Sequence, residues 1–100
     1  AWHYHKKQDD YFVCVKGRIR LVLYDARKKS PTHKEINEFN MSMDEPILVK
    51  IPKKVYHGFK GVSNEESFVV NTPTLPYNYE QPDEYRIDAE DNNIPYDWNK

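Results

Sequence analysis

The stretch that most constrains this chain is His3–Gly17, HYHKKQDDYFVCVKG. In an extended chain, side chains at i and i+2 project from the same face. His3 and His5 then share one face, with Trp2 and Tyr4 on the other. The apolar run from Tyr11 to Val15 reads as a strand, and Gly17 as a tight turn into a second strand, RIRLVLYD. Two imidazoles and the carboxylate of Asp10 are thus mounted at one sheet end, facing one way, and His57 follows later in the chain. Imidazole works as acid, base or ligand near neutral pH, so a pair at this spacing points to function rather than to decoration of a solvated edge.

The rest of the chain carries the same extended pattern. No window sustains a 3.6-residue apolar period over three turns. Arg18 to Asp25 sets Ile19, Leu21 and Leu23 on one face, and Arg18, Arg20, Val22 and Tyr24 on the other. Lys28 to Lys34 reads as a polar loop, and Glu35 to Met43 as a less regular strand. Ile47 to Ile51 alternates and stops at Pro52, which cannot donate to a ladder. Val55 to Phe59 is a short strand carrying His57, and Ser67 to Thr72 is a strong one. Short strands separated by Pro, Gly and Asn turns predict an all-β sandwich or barrel. Phe12, Cys14, Leu21, Leu23, Val49, Ile51, Phe68 and Val70 are expected to be buried or to line it.

Composition narrows the class. One hundred residues make about one domain. A net charge of -1 with interleaved signs argues against a general nucleic-acid surface. The single cysteine, Cys14, excludes an internal disulfide framework and fits a reducing compartment, so a cytoplasmic location is expected. Its place in an apolar run marks it as a buried, inert thiol. No apolar run is long enough to span a membrane as a helix. Pro73, Pro76, Pro82 and Pro95 break regular structure, while Tyr77, Tyr79, Tyr85, Tyr96 and Trp98 are spread among acidic residues. Disordered tails are poor in aromatics. Residues 73–100 are therefore expected to form an ordered strap over the barrel, within one domain spanning 1–100. The chain opens at Ala1 with His3 almost at its start, so a further N-terminal piece is expected to precede it.

Two chemistries suit His3, His5, Asp10 and His57. The four can ligate one divalent metal, or they can perform acid–base chemistry on a bound substrate. His-x-His, four residues, Asp10, six residues and Gly17 resemble the first motif of the cupin superfamily, and Pro52 followed by His57 resembles the second. The first motif normally ends in Glu where Asp10 stands, and the second normally has Gly where Lys54 stands.

A narrower resemblance runs along nearly the whole chain. Trp2-His3-Tyr4, Val13 to Gly17, Tyr24-Asp25-Ala26-Arg27 with Ser30-Pro31-Thr32, Ile51-Pro52, His57-Gly58-Phe59 and Asp91 to Trp98 occur in the order of the dTDP-4-dehydrorhamnose 3,5-epimerase family, which the chain resembles. The resemblance implies a cupin jelly-roll and usually a homodimer. It implies an enzyme with no metal or other cofactor, acting on a nucleotide-linked 4-keto-6-deoxy sugar. On the family pattern His3 is the catalytic base and Asp91 its catalytic partner. His57 falls on the family's second active-site histidine. His5 and Asp10, which depart from the family pattern, are expected to position the substrate, and Tyr77 or Tyr79 to reach it from the strap. The family's enolate-stabilising Lys falls at Asp10, a reversal of charge, and its acid Tyr falls at about Val70. Several readings follow: a 3-epimerase using another acid, a 3,4-ketoisomerase, a metal cupin with His3, His5, Asp10 and His57 as ligands, or a non-catalytic sugar-nucleotide-binding module. Epimerisation or ketoisomerisation ranks first, the metal cupin second and the binding module third.

Overall fold

The computed structural model describes residues 2–45, 47–76, 78–88 and 93–99. Eight strands run in order: β1 Trp2–Tyr4, β2 Asp10–Lys16, β3 Arg18–Asp25, β4 Ile36–Ser42, β5 Val49–Ile51, β6 Val55–Gly61, β7 Phe68–Pro73 and β8 Tyr85–Ile87. No helix occurs among the described residues. The strands form a five-stranded sheet, β4-β3-β6-β1-β8, facing a three-stranded sheet, β5-β2-β7, and the pairings within each are antiparallel. This is the two-sheet all-β architecture expected from the alternation, and the jelly-roll that the resemblance implies.

The core lies between the sheets. Ile19, Leu21 and Leu23 of β3, Phe12 and Cys14 of β2, Met41, Val49, Ile51 and Val55 interdigitate there. A second apolar layer covers the other face of the larger sheet, where Trp2 and Val22 meet Ile94, flanked by Tyr24, Tyr56, Tyr96 and Trp98. That layer explains why Val22, on the nominally outward face of β3, is fully buried.

Gly17 joins β2 to β3 with φ of +71°, a conformation that disfavours a side chain, and a Cβ there would collide with Ser67 Oγ and the Glu66 carbonyl. Lys54 adopts φ of 68°, which accounts for the glycine that cupin motifs place at this turn. Its backbone N–H donates to the His5 carbonyl at 2.6 Å, which fixes the turn before β6 against the chain leaving β1.

The expectation for β7 requires correction. Phe68 and Val70 are each 47% exposed, and Val69 instead packs on the core. FVV is apolar on both faces, so alternation leaves its phase open. Pairing decides it: Pro73, Asn71 and Val69 oppose the inward residues Asp10, Phe12 and Cys14. An irregularity between Cys14 and Lys16 then sets Phe68 opposite Lys16.

Candidate functional site

The inner end of the barrel gathers three imidazoles and one carboxylate. His3, in the middle of β1, is the Cα partner of His57 in β6. Their rings stack at 5.8 Å with an interplanar angle of 25°. The His5 ring lies 5.4 Å from that of His57, and Phe12 meets His57 edge-on at 5.5 Å. Asp10 opens β2 with its side chain wholly buried. His5 Nε2 is 2.9 Å from Asp10 Oδ2, and His57 Nε2 is 3.8 Å from the same oxygen. The structure thus brings His3, His5, Asp10 and His57 to one place. Asp91 and Tyr77 lie outside the described residues.

The surroundings set a different charge on each ring. Burial drives the pKa of His57 down to about 4, so it is neutral at pH 7. Burial, helped by Arg86, also lowers His3 and keeps it neutral. Burial opposes the charged form of His5, but hydrogen bonds to Asp10 and to the Asp83 carbonyl outweigh it and raise its pKa. Burial likewise opposes Asp10 ionisation, and is outweighed by His5 and by Gln8, whose Nε2 donates to Oδ1 at 2.8 Å, so the Asp10 pKa is lowered. The result is an Asp10 carboxylate that favours the charged form of His5, beside two rings, His3 and His57, whose burial favours the neutral form.

Beside this cluster opens a cavity of about 790 Å³. His5, Gln8, Asn71, Tyr79, Asp83 and Glu84 are among its walls. Tyr79 stands at its edge, 88% exposed. Glu84 connects the cavity to His3, with Oε1 3.6 Å from His3 Nδ1. Four of these residues were not singled out from the sequence. Gln8 carries a local signal, two positions before Asp10 in an extended run. Asn71 becomes visible only once the phase of β7 is known. Asp83 and Glu84 lie far along the chain and show no pattern that links them to the histidines.

His5, Asp10 and His57 each offer a ligand atom, and these atoms all lie within 4.8 Å of one another. One divalent ion held at about 2.0–2.2 Å from nitrogen and oxygen can be reached by such a set. His5 Nδ1 donates to a backbone carbonyl, the support that metal-bound imidazoles commonly have. His3 stands outside this group, whereas the alternative metal reading counts His3, His5, Asp10 and His57 as ligands.

A family model described as dTDP-4-dehydrorhamnose 3,5-epimerase matches residues 1–100. The chain is 47% identical over 100 residues to the "Probable low-salt glycan biosynthesis epimerase Agl13" of Haloferax volcanii, covering 99% of this chain and 64% of that protein. It is 40% identical over 99 residues to the spore coat polysaccharide biosynthesis protein SpsL of Bacillus subtilis, covering 99% and 66%. Among solved structures, the dTDP sugar isomerase from Desulfovibrio desulfuricans superposes with a TM-score of 0.92 at 30% identity, covering 99% of this chain and 62% of that one. The chain therefore spans just under two thirds of the length of these relatives.

Proposed function

The chain belongs to the dTDP-4-dehydrorhamnose 3,5-epimerase family, and from that premise we propose that this protein epimerises a nucleotide-linked 4-keto-6-deoxy sugar beside its keto group. The hydrogen on that carbon is acidic because the charge left behind delocalises onto oxygen. His3 removes it, and a proton returns on the opposite face. Asp91 orients the His3 ring and stabilises its imidazolium. His57, His5, Asp10, Tyr77 and Tyr79 hold the sugar and the adjoining nucleotide. The protein works as a homodimer in the cytoplasm.

The observation that carries this reading is the stacked pair His3 and His57, both neutral at pH 7 and next to an open cavity. A base has to be unprotonated at the working pH, and the burial of His3 favours that state. Ketoisomerisation is the neighbouring reaction: the same proton leaves C3, and a proton is returned to C4 instead, which moves the carbonyl to C3. The test is incubation of the full-length protein with dTDP-4-keto-6-deoxyglucose in deuterated water, read by NMR. Deuterium at C3, C5 or both, with the keto group still at C4, supports epimerisation. Deuterium at C4 of a 3-keto product indicates ketoisomerisation. No exchange refutes both.

A metal-binding reading is favoured by one observation, the convergence of His5, Asp10 and His57. Elemental analysis of protein purified without a His tag tests it. Near-stoichiometric iron, manganese, nickel, copper or zinc, with exchange lost to chelator and restored by metal, would make those three residues ligands.

A further inference from the structure

Epimerisation needs a group that stabilises the enolate oxygen, and the family pattern leaves that role open in this chain. The position of its enolate-stabilising Lys holds Asp10, and a carboxylate repels an enolate. The residue at the place of its acid Tyr, Val70, turns outward and is 47% exposed. We propose that Asn71 supplies the missing donor, its side-chain amide hydrogen-bonding the oxygen of the 4-keto sugar as negative charge develops there. This role rests on the epimerase reading above.

The phase of β7 carries the argument. Asn71 pairs with Phe12, whose inward ring touches His57, so Asn71 shares the inner face with the histidine cluster. It lines the cavity together with His5 and Gln8. Two other donors on that wall, Gln8 and His5, are already engaged. Gln8 Nε2 donates to Asp10. His5 spends one nitrogen on Asp10 and the other on the Asp83 carbonyl. No side-chain hydrogen bond joins the Asn71 amide to another described residue. Asp83 and Glu84 also line the cavity. Lys7 lines it too, but from the turn after β1, whereas Asn71 is held on strand β7 beside Phe12 and His57.

The step balances within the substrate. The C–H bond beside the carbonyl breaks, its proton goes to a His3 ring nitrogen, and its electron pair forms the carbon–carbon double bond. The carbonyl π pair moves to oxygen, which accepts the Asn71 N–H. On collapse the electrons return, and solvent supplies a proton to the carbon from the opposite face. Preorganised donors of this kind contribute most where charge appears in the transition state.

The experiment compares full-length wild type, Asn71→Leu, Asn71→Asp and Thr72→Val. Two quantities are read: the rate of solvent-deuterium incorporation into dTDP-4-keto-6-deoxyglucose, and dTDP affinity by calorimetry. Asn71→Leu keeps the branched shape and removes the donor, and it should lower exchange by about 10²–10³-fold with dTDP affinity within two-fold of wild type. Asn71→Asp should be at least as slow. Thr72→Val, one residue on and facing the other way, should match wild type. Exchange at the wild-type rate in Asn71→Leu would overturn the role, as would a loss that only tracks dTDP affinity or the folded fraction seen by circular dichroism. Absence of exchange in wild type would overturn the epimerase reading, and this role with it.

Discussion

His5 and Asp83, 78 positions apart in sequence, are joined by a hydrogen bond in which the His5 Nδ1–H donates to the Asp83 carbonyl at 2.5 Å. The Asp83 carboxylate extends the connection. It accepts the backbone N–H groups of Lys6 and Lys7, each at 2.8 Å, and of Gln8 at 3.1 Å. Asp83 alone therefore fixes both the tautomer of a site histidine and the turn that follows it. With Nδ1 committed as donor, Nε2 is the nitrogen that faces Asp10.

Replacing Asp83 with Ala should free three N–H groups in the 6–8 turn. Hydrogen bonds to a charged acceptor contribute about 1.5–3 kcal/mol in net terms when protected, and less at this partly exposed turn, so a loss of about 1–2 kcal/mol is expected. Urea titration should show it as a lower midpoint at unchanged slope.

Asp25 anchors the loop between β3 and β4. Arg27 Nε and Nη2 donate to its two oxygens at 2.9 and 3.0 Å, Ser30 Oγ donates at 2.7 Å, and Thr32 Oγ1 adds a fourth bond. The Arg27 guanidinium in particular holds the Asp25 pKa well below the usual carboxylate range. Breaking a fully buried ion pair costs about 3–5 kcal/mol, and the Arg27 side chain is 36% exposed. Asp25→Asn should therefore cost about 2 kcal/mol, read as a drop in Tm.

Trp2 is fully buried against Trp98, at 5.2 Å between ring centroids, and Tyr96, at 6.0 Å. Trp2→Ala should cost about 3–5 kcal/mol, because these rings cannot close the space it leaves. Loss of the near-ultraviolet dichroism of the clustered rings should accompany the lower Tm.

Stability should also report the buried state of His57. Its folded pKa is about 4, against 6.5 in the unfolded chain. Between those values the unfolded chain binds the extra proton, so stability falls as pH drops from about 6.5 towards 4. His5 acts in the opposite sense. Its pKa is raised, so its contribution is full below 6.5 and is lost as pH rises through the folded value. In His57→Phe the loss of stability between pH 7 and pH 4.5 should be smaller than in wild type, as measured by denaturant unfolding at both pH values.

The period-two alternation made most of the fold legible. β3 reads correctly because Ile19, Leu21 and Leu23 contrast with Arg18 and Arg20 along one strand. β7 does not, because Phe68, Val69 and Val70 offer no contrast and only pairing with β2 sets which of them faces in. The site divides in the same way. His3, His5, Asp10 and His57 stand out by residue type and spacing, and they do converge. Asp83 and Glu84 were hidden because their roles arise from β8 folding back beside β1, a contact with no local trace. The left-handed Lys54 was half visible: the motif marks a glycine position, and the backbone there does adopt a glycine-like φ.

The most direct test of the account concerns His3. Full-length wild type and His3→Ala are compared in deuterated water with dTDP-4-keto-6-deoxyglucose, with circular dichroism confirming that both are folded. Loss of a positioned general base costs about 10²–10⁴-fold, so deuterium entry beside the keto group should fall by that factor in His3→Ala. Exchange at the wild-type rate in a folded His3→Ala protein would contradict the assignment of His3 as the base.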